Sequence, residues 1–135
     1  DVCSSDLNGV TPLFVASQNG YTSIVQTLLN KPGIDVNKAE LSNNSSPLMV
    51  ATQYNRFTVI EELLKHKETN VNTTRSDGAT PLIYAVIRKN IPLVKLLLQR
   101  REIDLKVKYL NKTLLEIAIS GKNPEIISMI EAASR

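Results

Sequence analysis

A stretch of eight residues recurs at a nearly constant interval along the 135-residue chain. The clearest copy reads GATPLIYA, and the four copies are Gly9–Ala16, Asn44–Ala51, Gly78–Ala85 and Asn111–Ala118. Their Thr or Ser residues stand at positions 11, 46, 80 and 113, so successive copies are 35, 34 and 33 residues apart. A period of this size predicts a stack of repeated units, because each unit can bury its apolar face only against its neighbours.

Each copy predicts a tight turn followed by the start of a helix. Gly or Asn stands two positions before the hydroxyl residue, and these two types tolerate a positive φ best. The Thr or Ser is suited to accept hydrogen bonds from the free N–H groups of a new helix. Proline follows in three copies, at the first helical position, where its missing N–H costs nothing. A small residue should then let a second helix approach closely; these residues are Ala16, Ala51, Ala85 and Ala118.

A second apolar pattern begins 13 positions after each hydroxyl residue. It places aliphatic residues one helical turn apart, at Ile24–Leu29, Val59–Leu64, Leu93–Leu98 and Ile126–Ile130. This spacing predicts a second amphipathic helix in every unit. A short tail follows in three of the units, at Asp35–Asn37, Asn70–Asn72 and Asp104–Lys106.

Together these motifs resemble the ankyrin-repeat family, whose pattern runs G-x-T-P-L-H-x-A, then a turn, I-V-x-x-L-L and a D-V-N tail. The resemblance covers essentially the whole chain. It implies an all-α solenoid of stacked helix-turn-helix pairs with short β-hairpin-like tips. The family's histidine is replaced here by Phe14, Met49, Ile83 and Glu116, so we expect the hydrogen bond of that position to be lost.

We expect one ankyrin-repeat domain over residues 1–135, with repeats at about 6–37, 38–72, 73–106 and 107–135. Asp1–Cys3 aligns with Asp35–Asn37, so residues 1–5 should be the tail of a preceding repeat in a longer array or multidomain protein. The hairpin before repeat 2 is one residue longer, so its tip at Glu40–Asn43 should project. Glu131 stands where the other copies have leucine, which favours a C-terminal cap.

The charge balance gives little reason to expect a nucleic-acid partner. The net charge is only +3, and no run of 18 apolar residues exists to predict a membrane span. Several basic residues fall near predicted helix ends, where cations suit the helix dipole. These are Lys95, Arg100, Arg101, Lys106, Lys108 and Lys112. We therefore expect neither nucleic-acid nor membrane binding.

The scarcity of reactive side chains argues against catalysis. Cys3 is the only cysteine and His66, expected at the surface, is the only histidine. This leaves no Cys/His metal cluster and no nucleophile–base pair, so we expect no enzyme, metal or cofactor. A lone cysteine also favours a reducing, cytoplasmic or otherwise intracellular location, although secretion as an effector stays open.

The remaining functional feature is a surface. In proteins that resemble this one, partners usually bind the concave face, made of the hairpin tips and the exposed side of each first helix. Tyr54, Ile87 and Arg88 should be neighbours there, and Tyr and Arg often carry interface energy. The predicted partner-binding residues are Asn8, Gln18, Asn19, Leu41, Gln53, Tyr54, Asp77, Ile87 and Arg88.

The sequence thus favours a monomeric, non-catalytic module that binds a protein or peptide. Two alternatives stay open. The repeats could recruit substrates for a larger enzyme or a secreted bacterial effector whose catalytic domain lies outside this chain. They could also be a structural spacer.

Overall fold

The computed structural model describes residues 9–134, which form eight helices and one short hairpin. The predicted tail at residues 1–5 and the predicted site residue Asn8 lie outside the described residues. The helices are α1 (Pro12–Asn19), α2 (Thr22–Leu29), α3 (Pro47–Gln53), α4 (Phe57–Lys65), α5 (Pro81–Ile87), α6 (Ile91–Leu98), α7 (Leu114–Gly121) and α8 (Pro124–Ala133). The strands are β1 (Lys108–Tyr109) and β2 (Lys112–Thr113), which pair antiparallel. The predicted all-α solenoid with minimal strand is confirmed.

The first helix of every repeat begins as the recurring motif predicts. Each N-cap hydroxyl oxygen accepts the backbone N–H three residues ahead, at 3.1–3.2 Å; these caps are Thr11, Ser46, Thr80 and Thr113. The residues two positions earlier have φ between 55° and 91° where the turn requires it, and they are Gly9, Asn44, Gly78 and Asn111. Such caps satisfy helix N–H groups that would otherwise lack a partner.

A left-handed residue also separates the two helices of each repeat. Gly20, Asn55, Lys89 and Lys122 have φ between 57° and 76°. Only Gly20 adopts this conformation without a Cβ penalty, so the other three copies accept some strain to make the same turn. The tight turn brings the second helix back against the first.

The core lies between the two helix layers of the stack. The motif alanines are buried, and so are the leucines Leu13, Leu48 and Leu82. First helices pack on first helices of neighbouring repeats, and α2 packs on α4 and α6 on α8 in the same way. Every helix pair in substantial contact belongs to one repeat or to adjacent repeats.

Asparagine side chains join the tails of successive repeats. Asn37 Nδ2 donates to the Glu68 carbonyl at 2.8 Å, and Asn37 Oδ1 accepts the Asn70 N–H at 2.7 Å. Asn72 makes the same two bonds to the next repeat, at 2.7 and 2.8 Å. Lys106 occupies this position in the tail of repeat 3 and has no amide with which to continue the ladder.

Candidate functional site

The predicted site residues mostly lie at the C-terminal ends of the first helices. Tyr54 and Ile87 are exposed, at 51% and 47%, and Asn19 and Arg88 are also exposed. Gln18 and Gln53 are half-buried. We call the set Gln18, Asn19, Gln53, Tyr54, Ile87 and Arg88 the first-helix band.

Cross-repeat hydrogen bonds connect this band across three repeats. Gln18 Nε2 donates to the Tyr54 hydroxyl at 3.2 Å, joining repeats 1 and 2. Arg88 Nη1 donates to the Gln53 carbonyl at 2.6 Å, joining repeats 2 and 3. Asn19 instead donates to the Val15 carbonyl within α1. These bonds therefore link four of the predicted residues, Gln18, Gln53, Tyr54 and Arg88, across three repeats.

Arg88 also binds the end of a helix in the previous repeat, which the sequence did not predict. Its bond to the Gln53 carbonyl caps the C-terminal end of α3, where a cation is favoured by the helix dipole. Arg56 does the same for α1, with Nε donating to the Gln18 carbonyl at 2.9 Å. Arg100 lies near a helix end as predicted, but it is half-buried and donates to the Leu64 carbonyl of the previous repeat at 2.9 Å.

The tip before repeat 2 projects less than predicted, because its first residue is buried. Leu41 is highly exposed, at 68%, but Glu40 is buried, at 6%. The Glu40 carboxylate accepts backbone N–H groups of Ser42, Asn43 and Ser45. The extra residue therefore lengthens a loop that closes around the Glu40 carboxylate. Only the residues from Leu41 to Asn44 project from it.

Hydrogen bonding holds the pKa of Glu40 down. Burial acts to raise the pKa of this carboxyl, but the hydrogen bonds from Ser42, Asn43 and Ser45 lower it below its ordinary value. Donors that point at a carboxylate favour its charged form. Leu41 is thus carried on a loop with a fixed conformation.

Asp77 belongs to a polar cluster between the tips of repeats 3 and 4. Its Oδ1 accepts the Ala79 N–H at 3.0 Å, and its Oδ2 lies 3.9 Å from Arg75 Nη1. Arg75 also donates to the Tyr84 hydroxyl. Burial raises the pKa of Tyr109, and the charge of Asp77 and a hydrogen bond to it raise it further. Asp77 is exposed, as predicted, but its carboxylate already has partners within the chain.

The comparison with protein families decides the identity. A family model described as "Ankyrin repeats (3 copies)" matches residues 1–75 and again residues 48–132. The chain belongs to the ankyrin-repeat family. Proteins built from ankyrin repeats generally act as protein-interaction modules.

Segments similar to this chain occur in very different proteins. A putative ankyrin repeat protein, FPV031, of Fowlpox virus (strain NVSL) is 34% identical over 129 residues, covering 91% of this chain and 37% of the viral protein. Alpha-latrotoxin-Lg1a of Latrodectus geometricus is 36% identical over 86 residues, covering 64% of this chain and 6% of the toxin. The B-cell lymphoma 3 protein homolog of Mus musculus is 33% identical over 91 residues, covering 67% and 20%. This chain spans well under half the length of each.

The position of the ankyrin histidine holds an apolar residue in three repeats and a glutamate in the fourth. Met49 and Ile83 are fully buried and Phe14 nearly so, and in these copies the polar group is absent as expected. In the fourth copy Glu116 makes a bond of its own, because its Oε1 accepts the Thr113 N–H at 2.9 Å and completes a capping box. The backbone N–H of Thr113 lowers the pKa of Glu116, and the charges of Lys112 and Lys108 lower it further.

Residues 9–134 show no grouping of three or more side chains that could hold a metal ion. None of the helices described is long and apolar enough to cross a membrane. His66 is half-buried rather than at the surface, and its Nδ1 has no hydrogen-bond partner within this part of the chain. It follows α4 and lies beside Glu62 and Lys65, which pair at 3.0 Å.

Proposed function

We propose that this ankyrin-repeat chain binds a protein or peptide partner through its concave face, as a monomer and without catalysing a reaction on it. The concave face comprises the first-helix band and the tips at Leu41 and Asp77. A single cysteine leaves no internal disulfide, and we propose that the chain works in a reducing, intracellular compartment.

One observation carries the proposal. Tyr54 and Ile87 stay about half exposed, while the polar residues around them are held by hydrogen bonds to neighbouring repeats. An apolar pair on a rigid frame loses little conformational entropy when it binds. Exposed tyrosine and aliphatic side chains so placed are suited to anchor a partner.

The chain provides a closely matched control for this pair. Tyr21 and Ile24 are the same two residue types and are exposed to the same degree, at 53% and 49%. Neither belongs to the first-helix band, because Tyr21 is the N-cap of α2 and Ile24 lies in the first turn of that helix. The double variants Tyr54→Ala/Ile87→Ser and Tyr21→Ala/Ile24→Ser therefore remove similar exposed apolar area from inside and from outside the first-helix band.

The test is affinity capture from cell lysate with the wild type and both double variants as bait. We expect a partner held by the wild type and the Tyr21/Ile24 variant and lost by the Tyr54/Ile87 variant. Two anchors of this kind contribute about 2–4 kcal/mol, so retention should fall more than tenfold. Equal retention by both variants would contradict the proposal. Circular dichroism melts should agree closely among the three proteins.

A further inference from the structure

The character of the concave face changes along the stack. In repeats 1 and 2 the first-helix band holds Gln18, Asn19, Gln53 and Tyr54, without a formal charge. Arg56 lies beside them, but its guanidinium is half-buried and bonded to the Gln18 carbonyl. Repeats 3 and 4 carry six basic residues on the equivalent surface and tips. We call these the basic tract: Arg75, Arg88, Lys89, Lys108, Lys112 and Lys122.

Contacts show that the members of the basic tract are neighbours. The Arg75 and Arg88 guanidinium carbons lie 5.7 and 5.4 Å from the centre of the Tyr84 ring. Lys89 Cε lies 3.5 Å from the position that a Cβ on Gly121 would occupy, so this lysine reaches the next repeat beside Lys122. The tract thus continues from repeat 3 into repeat 4.

The tip of repeat 4 joins the same surface. Lys108 and Lys112 lie on the paired strands β1 and β2, close enough to Glu116 for their charges to act on it. Tyr109, between them in sequence, lies close enough to Asp77 and Arg75 of the repeat 3 tip for their charges to act on its hydroxyl. The lysines of β1 and β2 are therefore linked to the arginines around Tyr84.

The acidic residues within this surface do not neutralise it. The Asp77 carboxylate pairs with Arg75 and accepts the Ala79 N–H of its own turn. The Glu116 carboxylate accepts the Thr113 N–H in the capping box. Four exposed lysines form no ion pair within residues 9–134; they are Lys89, Lys108, Lys112 and Lys122. Six basic against two acidic residues leave a cationic surface, which favours an anionic ligand.

Exposed apolar residues decide between a protein and a nucleic acid. Ile87 and Leu110 are both exposed on repeats 3 and 4. Aliphatic side chains make no favourable contact with a phosphate backbone. Single-stranded bases bind by stacking on exposed aromatic rings. Tyr84 and Tyr109 are half-buried, and the Tyr84 ring is already covered by two guanidinium groups. Apolar anchors among cations fit a peptide with carboxylates next to aliphatic side chains.

We propose that the basic tract binds an acidic peptide segment, in which Asp or Glu residues alternate with aliphatic ones. This inference rests on the proposed function and specifies the partner that the concave face accepts. The carboxylates pair with the four free lysines, and the aliphatic residues contact Ile87 and Leu110. Repeats 1 and 2 extend the contact through uncharged groups.

The test is selection of a displayed library of random peptides on the immobilised chain, followed by fluorescence anisotropy with the synthetic peptides that are enriched. The first variant is Lys89→Gln/Lys112→Gln/Lys122→Gln, which removes three exposed charges from the tract. Its matched control removes three exposed charges that follow the second helices, by Lys67→Gln/Arg101→Gln/Lys106→Gln. The Tyr54→Ala/Ile87→Ser variant is measured in parallel, and single-stranded and duplex DNA oligonucleotides serve as competing probes.

We expect enriched peptides to be rich in Asp and Glu, and to bind the tract variant about tenfold more weakly while the control stays within twofold of the wild type. Peptides without acidic enrichment that still lose affinity for the Tyr54/Ile87 variant would overturn this inference and leave the proposed function standing. Selection of no peptide, or of peptides insensitive to both variants, would overturn both. An oligonucleotide that binds more tightly than the peptides, with affinity falling steeply as salt rises, would replace the peptide by a nucleic acid.

Discussion

Replacing Asn72 by alanine should destabilise the stack at the boundary between repeats 2 and 3. The side chain makes two hydrogen bonds across this boundary, to the Glu102 carbonyl at 2.7 Å and from the Asp104 N–H at 2.8 Å. Both lie in a solvent-accessible region, so water can rehydrate the groups that lose their partner. Each bond then contributes about 0.5–1 kcal/mol, and Asn72→Ala should lower the free energy of unfolding by about 1–2 kcal/mol.

Urea denaturation followed by circular dichroism measures this change. Asn72→Asp keeps the acceptor for the Asp104 N–H but places a carboxylate oxygen against the Glu102 carbonyl, so it should be weakened at least as much as the alanine variant. Lys106→Ala is the matched control, because Lys106 holds the equivalent position with no bridge to make, and it should change stability by less than about 0.5 kcal/mol. An Asn72→Ala protein within about 0.3 kcal/mol of the wild type would refute the reasoning.

Two further changes follow from burial and from the loop carboxylate. Ala85→Arg should unfold the centre of the stack, because Ala85 is buried and a charged, bulky side chain there costs more than about 3 kcal/mol; a wild-type melting curve by circular dichroism would show that the helix register is wrong. The folded pKa of Glu40 is lowered, although burial acts to raise it, by hydrogen bonds from Ser42, Asn43 and Ser45. Its stabilisation should therefore be present above the ordinary carboxyl pKa and be lost as pH falls through the folded value. Glu40→Gln should flatten the decline in stability below about pH 4.5, and urea midpoints that fall in parallel in the two proteins would count against this.

Local chemistry explains what the sequence predicted well. A Thr or Ser at a fixed place before Pro-Leu binds an N–H three residues away, so the cap depends on neighbours in the chain and can be foreseen. The positive φ at Gly78 or Asn44 follows from residue type in the same way. Alanine burial also follows, because a period of 33 to 35 residues places each alanine in the same position of the stack.

Long-range contacts explain what the sequence did not predict. Arg56, Arg88 and Arg100 each bond a carbonyl in the previous repeat, 35 to 38 residues away, and no local pattern distinguishes them from solvated arginines. The Asn37 and Asn72 bridges had a visible signal, since the tail motif repeats, but their partners became apparent only from the stacking. Glu40 is buried because its loop closes around the carboxylate. The extra residue in the sequence predicted a projecting tip and gave no sign of this closure.

The exclusive pairing of adjacent repeats has a mechanical consequence. A force applied to the two ends of such a stack acts on a series of interfaces closed by apolar contacts, with the Asn37 and Asn72 hydrogen bonds added at the first two. A terminal unit is held by one interface and an interior unit by two, so units would detach in turn from the ends. Each detached unit of 33 to 35 residues would release about 110 Å of chain, giving a stepwise extension under load rather than one rupture.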